Sequence, residues 1–365
     1  MVGRVKPAET RCPCVSCAAD PTTSLARGHA SLRALAAYVP AHHRAALAAH
    51  VDQRALWGQE DDDTLSRVLD VAVSDIHVHR HHEWDSGAWA ESQLDDLAVD
   101  RPTRERLREA WRRRLDWRTG PASTAAHPVE LNVRAHGRQL SVTCPDTVES
   151  YLVLFEVFLS GCYRGVSGVP GIYDLGAHVG MAALWFHSLL PRAEVVCVEP
   201  LRENLAYLEE NLRRNRVPSR VVPAAVSDHD GEMTLHACGA MTGLSGVAPL
   251  RHVAGTGWAG LVFEPRVVPC VDAGVLVRGL GYGLKVDIEG SEHALAARPR
   301  VFTDAAWVVG ELHLGPSVVP LERAGDLVAV LERAFDVTLD GPGTLGDTVT
   351  YLVRAWRPGR HVREP

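Results

Sequence analysis

No apolar run in the chain approaches the roughly 20 residues needed to cross a bilayer, which excludes a membrane-spanning helix. The opening stretch, Met1 to Asp20, is polar and has no apolar segment of the kind a secretory signal needs. Excess positive charge is missing too: the formal net charge is -7, which argues against a constitutive nucleic-acid binder. A disulfide framework is also lacking. Of the eight cysteines, several sit inside apolar runs, such as Cys197 in Val195–Val198 and Cys270 in Val267–Val271. They read as buried thiols in a reducing cytosol, so a cytoplasmic protein is expected. No internal repeat is visible. What remains is a chain of 365 residues, 46% hydrophobic and 23% charged, enough to bury ordinary cores without a metal or a disulfide. The length suggests about two domains.

Residues 1–21 read as an irregular, cysteine-containing arm, and residues 22–120 as a helical N-terminal domain. Leu25 to Trp57 has helical spacing divided at Pro40, and Asp61-Asp62-Asp63-Thr64 can start another helix. Thr103 is expected to cap a later helix that carries Leu107, Trp111 and Leu115 on one face. Gly120 to Thr124 breaks the pattern and marks the boundary with a domain over 121–365. That domain opens with an alternating hairpin, Val129 to Val142, turning at His136-Gly137. From Gly171 on, short apolar runs alternate with helices, as in a parallel sheet with crossover helices. The expected strands are Gly171–Leu175, Glu194–Val198, Arg220–Val226, Leu284–Ile288, Trp307–Val309, Asp336–Leu339 and Thr348–Val353. Helices are expected over Met181–Leu190, along the stripe Leu201, Leu205, Leu208 and Leu212, and over Leu321–Phe335. Gly239 to Gly260 reads as a long loop beside the site.

The clearest chemical signal is Asp174-Leu175-Gly176-Ala177-His178-Val179-Gly180. A strand ends in an acid, and glycines then let the backbone turn closely against a ligand before a helix starts. Asp174 can hold an ammonium or a ribose group. About 20 residues on, Glu199 ends the second strand, where an acid can accept from two ribose hydroxyls, and Pro200 stiffens the turn. His178 breaks the dinucleotide pattern G-x-G-x-x-G, so no tight pyrophosphate cradle is expected, and adenosylmethionine suits the site better than NAD. The second signal is Leu284-Lys285-Val286-Asp287-Ile288-Glu289-Gly290-Ser291-Glu292, a buried strand ending among three acids. Glu311-Leu312-His313 ends the fifth strand on the same rim. His313 is the leading candidate for a general base, because an imidazole titrates near neutral pH, with Glu289 and Glu292 as competitors.

These runs, with Ala225-Val226-Ser227-Asp228-His229-Asp230-Gly231, resemble the FkbM family of methyltransferases over roughly Glu149 to Arg354. The resemblance implies a Rossmann-like class I methyltransferase fold with a seven-stranded sheet, here behind an N-terminal helical extension. It implies S-adenosylmethionine as donor, held by Asp174, Gly176, Ala177, His178, Gly180, Glu199, Pro200, Ser227 and Asp287, and commonly O-methylation of a natural product, sugar or lipid. His178 stands where asparagine is common in the family.

Two clusters outside the resemblance are set aside. Cys12, Cys14 and Cys17 lack a fourth ligand, and His77, His79, His81 and His82 read as a polar stretch, so no metal is expected. The Arg-rich run from Arg101 to Arg118 is interleaved with acids and reads as a solvated helix face. The sequence thus points to an O-methyltransferase acting on a small-molecule acceptor, without nucleic acid or membrane. The N-terminal helices are expected to shape the acceptor pocket or the interface of a homodimer. An N-methyltransferase and a non-catalytic adenosylmethionine-binding partner protein are the alternatives.

Overall fold

The structure is a computed structural model that describes residues 24–50, 62–75, 87–113, 127–239, 241–248, 262–345 and 347–359. The boundary expected near Gly120–Thr124 and the Cys12–Cys17 and His77–His82 clusters lie outside the described residues.

Helices form at Ser24–Ala36 and Arg44–His50, on either side of Pro40, and at Asp62–Leu69, with two carboxylates in its first turn. Among the described residues no helix is long and apolar enough to cross a membrane. Thr103 does not cap the helix Arg101–Arg113. The cap is Asp100, whose Oδ1 accepts the Thr103 backbone N–H at 2.8 Å, a shift of one turn that sequence spacing cannot resolve. Thr103 instead uses its hydroxyl to accept the Asn132 backbone N–H at 3.0 Å, tying the helix to the hairpin behind it. That hairpin pairs β1 (Pro128–Ala135) with β2 (Arg138–Pro145). His136 (φ 48) and Gly137 (φ 74) make the left-handed two-residue turn that the right-handed twist of a hairpin favours. Asn211 and Asn215, one turn apart on the helix Arg202–Arg214, cover the free edge of β2. Their amides bond both the N–H and the C=O of Thr143 and of Ser141.

The main sheet is built from β3 (Gly171–Leu175), β4 (Glu194–Val198), β5 (Ser219–Val222), β9 (Gly283–Val286), β10 (Trp307–Leu314), β11 (Asp336–Leu345) and β12 (Thr348–Trp356). Its spatial order is β11-β12-β10-β9-β3-β4-β5, all parallel except β12, which runs antiparallel to both neighbours. Both faces are covered. Along β4, Val196 and Val198 pack into one hydrophobic cluster and Val195 and Cys197 into another, so the strand reads as an unbroken apolar run. The first cluster also takes Leu32, Leu35, Leu47, Leu65 and Leu69, so the early helices share a core with the sheet. The second unites Leu94, Leu107 and Trp111 with the hairpin and with the helix Met181–Leu189.

Three expectations change. The third strand is not continuous to Val226: Pro223, which has no N–H to give a ladder, separates β5 from β6 (Ala225–Ser227). β6 joins a separate three-stranded sheet with β7 (Gly231–Cys238) and β8 (Phe263–Asp272), in the order β6-β8-β7. β8, which contains Pro265 and Pro269, is not among the expected strands. β10 runs on to Leu314, which places Glu311 and His313 within a strand, two residues apart and on one face. Finally, the helix expected over Leu321–Phe335 breaks at Gly325 into Leu321–Arg323 and Asp326–Glu332.

Candidate active site

The strand order reverses direction between β3 and β9, and in open α/β sheets ligands bind outside the carboxyl ends of the strands at such a switch point. β3 delivers Asp174 there, with none of its surface exposed. Neither of its oxygens accepts a hydrogen bond, and its one close partner is Lys285 Nζ, 3.3 Å from Oδ1. A buried carboxylate left with lone pairs unfilled is costly unless a ligand donor reaches it. Gly176 (φ 84) turns the chain so tightly that a Cβ there would collide with the backbone oxygen of Asp287. Gly180 (φ 90) has Leu208 of the next helix where a Cβ would point. Both positions are a cradle that only glycine forms.

Glu199 serves this loop from β4. Its Oε2 accepts the His178 N–H at 2.9 Å, and its Oε1 accepts the Leu201 N–H at 2.9 Å and Asn204 Nδ2 at 3.1 Å. A carboxylate offers about four acceptor positions, so three are taken by the protein and one is left for a ribose hydroxyl, not two. Burial pushes Glu199 up to about 7, against the pull of these donors. His178 stands in the left-handed region (φ 50), and its Nε2 lies 3.0 Å from Thr242 Oγ1. Burial, then the charge of Lys285, drives His178 down to about 4, so its ring is neutral. Pro200 follows on the cavity wall. Ser227 does not: the wall ends at Val226, and the Ser227 hydroxyl turns to Asp228 at 3.3 Å.

Within β9, Lys285, one of two lysines in the chain, joins the two halves of the site. Its Nζ donates to the Gly176 carbonyl at 2.6 Å and lies 3.4 Å from Asp287 Oδ2. Burial alone would lower this lysine, but Asp174 and Asp287 hold it above its ordinary value. Asp287 rises to about 6, chiefly by burial and against the pull of Lys285. Glu289, with φ 50, is pushed to about 8 by burial, opposed by His313.

The structure corrects the assignment of His313 as a base. Its Nδ1 is 3.1 Å from Glu292 Oε1, and its Nε2 is 3.3 Å from Glu311 Oε2 and 3.5 Å from Glu289 Oε2. Burial would lower it, but these three carboxylates raise it well above 6.5 and favour the ring that already holds its proton. An imidazolium cannot accept another. Sequence reasoning placed the ring on the right rim but could not count the acids around it. Glu292 is also corrected: it is fully buried and outside the cavity. Its oxygens accept the Ile288 and Gly290 N–H groups, both at 3.0 Å, as well as the imidazole. It holds the loop after β9 in place, with three of its four acceptor positions taken and none of its surface on the cavity wall.

One cavity of about 270 Å³ runs from Gly176, Ala177, His178 and Glu199 to Asp287, Glu289, Glu311 and His313. All its lining residues come from Glu149 onward, so the described N-terminal helices do not shape it. Two of its acids were missed in the sequence. Glu149 and Glu156 lie seven residues apart, one face of a helix that starts at Val148 and loosens into a π turn at Glu156–Ser160. Two acids at that spacing in an otherwise apolar segment were the available signal. Glu149 Oε1 accepts the Gly243 N–H at 2.7 Å, and so fastens the segment Met241–Val247 over the cavity.

Glu149 is pushed up to about 7 by burial, from an ordinary 4.5. The folded chain therefore keeps a proton there that the unfolded chain releases above 4.5, so this site's contribution to stability falls as pH rises toward 7 and is level beyond. The stability difference between wild type and Glu149→Gln, measured by urea unfolding, should fall across pH 4.5–7, by up to about 3 kcal/mol. A difference that is flat or rises over that window would show that Glu149 does not hold its proton.

A parallel sheet closed by one antiparallel strand, with a glycine loop after its first strand and an acid after its second, defines a class I methyltransferase fold. No family model matches the chain. It is 31% identical over 246 residues to the 31-O-demethyl-FK506 methyltransferase FkbM of Streptomyces tacrolimicus, across 57% of this chain and 90% of that protein. A shorter match, 32% over 111 residues, is to the AMB antimetabolite synthetase AmbE of Pseudomonas aeruginosa, covering 29% of this chain and 5% of that one. Among solved structures it is similar to the N-terminal domain of EvdMO1 with SAH bound, at a TM-score of 0.31 and 14% identity, over 53% of this chain and 77% of that one. The chain belongs to the FkbM family of S-adenosylmethionine-dependent methyltransferases.

Proposed function

We propose that this enzyme methylates a hydroxyl oxygen of a small natural-product or sugar-containing acceptor. The observation that carries the reading is the single cavity that joins the glycine loop to the acids at the ends of β9 and β10. The orphaned oxygens of Asp174, the last open position on Glu199 and the Gly176 cradle fit the amino acid and ribose ends of adenosylmethionine. When bound, that donor supplies an electrophilic methyl group on a sulfonium. The chain's own task is to align an acceptor and remove its proton. Glu292 is occupied by three donors, and His313 is already cationic with Glu311 beside it. Glu289, on the cavity wall, takes the proton from the acceptor hydroxyl in its ionised form, so turnover should rise as pH rises toward about 8.

Incubation with deuteromethyl-labelled adenosylmethionine and a panel of hydroxylated and amine-bearing acceptors tests this by mass spectrometry. The label should appear as a methyl ether, and Glu289→Gln should cut turnover by about 10²–10⁴-fold with adenosylhomocysteine affinity nearly unchanged. Label found only on nitrogen, or none with donor binding intact, would overturn the reading in favour of an N-methyltransferase or a non-catalytic binding protein.

A further inference from the structure

We propose that Asp287, Glu311 and His313 bind one divalent metal ion of the hard, oxygen-preferring kind, Mg²⁺ or Mn²⁺, and that its remaining positions receive oxygens of the acceptor. One ligand atom from each residue lies within 4.8 Å of the other two, so a single ion with bonds of about 2.0–2.5 Å can reach all three. All three come from strand ends: Asp287 directly follows β9, and Glu311 and His313 share one face of β10. Two carboxylates with one imidazole suit such an ion better than a soft metal.

The histidine is prepared for this role. Glu292 Oε1 lies 3.1 Å from Nδ1, which fixes the N–H there and turns Nε2 toward Glu311. A buried carboxylate that orients the far nitrogen of an imidazole is the usual support of a metal-bound histidine. It gives Glu292 a purpose beyond its two backbone bonds.

Charge points the same way. Asp287, Glu289, Glu311 and Glu156 all line one cavity, so four carboxyl groups face the same space. Lys285 is the one lysine among them, and half of it is claimed by Asp174. That residue is fully buried, its oxygens accept no hydrogen bond, and its Oδ1 lies 3.3 Å from the same ammonium group. Lys285 faces one oxygen of Asp287, and the second oxygen remains. A divalent ion would balance the surplus and take the place of the proton on His313 Nε2.

The acceptor part rests on the function proposed above; the ion site does not. An acceptor hydroxyl on the ion would become more acidic, and its proton would pass to Glu289 in its ionised form, leaving an oxygen nucleophile beside the donor.

The test uses the full chain, stripped with chelator and free of donor, titrated with Mn²⁺ alone and read by electron paramagnetic resonance. One Mn²⁺ per chain is expected, weakened by at least 100-fold in Glu311→Gln and in Asp287→Asn, and by about 10-fold or more in Glu292→Gln through the histidine. Adenosylhomocysteine binding to each variant, by calorimetry, identifies those that keep their fold, and the wild-type stoichiometry stands whichever do. No bound Mn²⁺ in the wild type, or one whose affinity ignores all three substitutions, would overturn the site. One bound Mn²⁺ with methyl transfer that is indifferent to chelator would overturn the acceptor's place on the ion. Mn²⁺ bound in a protein that transfers to no hydroxyl would count against the proposed reaction alone.

Discussion

Glu292→Ala should be among the most damaging single substitutions in the chain, costing about 3–5 kcal/mol in unfolding free energy. The side chain is 0% exposed and ends the Ile288 N–H, the Gly290 N–H and His313 Nδ1 together. Truncation strands two backbone donors in the interior and leaves His313 without the contact that orients it. A cavity is added to these losses. Burial pushes this carboxyl up, yet His313 and the backbone donors bring it below its ordinary value, so its contribution is present at neutral pH and fades as pH falls through that lowered value. Chemical unfolding at pH 7 is the measurement, with Glu292→Gln expected to recover part of the loss because it still accepts from one side. A loss under about 1 kcal/mol for the alanine variant would mean that the loop after β9 stands without its clamp.

The donor half of the site was legible because its signals are contiguous. Asp174 to Gly180 and Val198 to Pro200 each occupy one strand end and one turn, and strand, acid and glycine follow one another along the chain. The Gly171–Leu175 and Glu194–Val198 boundaries are those the apolar runs predicted. The acceptor half is assembled from four separate elements, and its chemistry depends on how they meet. His313 read as a neutral base from its residue type, whereas its charge is set by Glu289 and Glu292 from one loop and Glu311 from its own strand. Glu199 read as a ribose ligand, yet most of its acceptor capacity holds His178, Leu201 and Asn204. The second sheet was hidden for a local reason. Two prolines interrupt the strand signal of β8, and the residues it pairs with in β6 and β7 lie about 25 to 45 positions earlier, beyond the reach of any periodicity.

Lys285→Met should lower stability by about 3 kcal/mol or more, because it removes the cation from beside the fully buried Asp174 and the half-buried Asp287 and leaves the first without compensation. The variant also loses the bond to the Gly176 carbonyl, so the glycine loop loses its tie to β9 and adenosylhomocysteine affinity should fall with the stability. The two effects can be separated by neutralising a partner. Asp287→Asn alone removes one attraction to the lysine, but in the Lys285→Met background it removes a charge that has become purely unfavourable. The double variant should therefore be more stable than Lys285→Met alone, with a coupling of about 1–3 kcal/mol in a double-mutant cycle. Acidification should help the single variant in the same way, since Asp287 is already raised to about 6 with the lysine present and rises further when it is gone. Additive losses in the cycle, with no gain in relative stability on lowering the pH, would show that Lys285 acts through packing of its aliphatic stem and not as the charge that binds the two halves of the site.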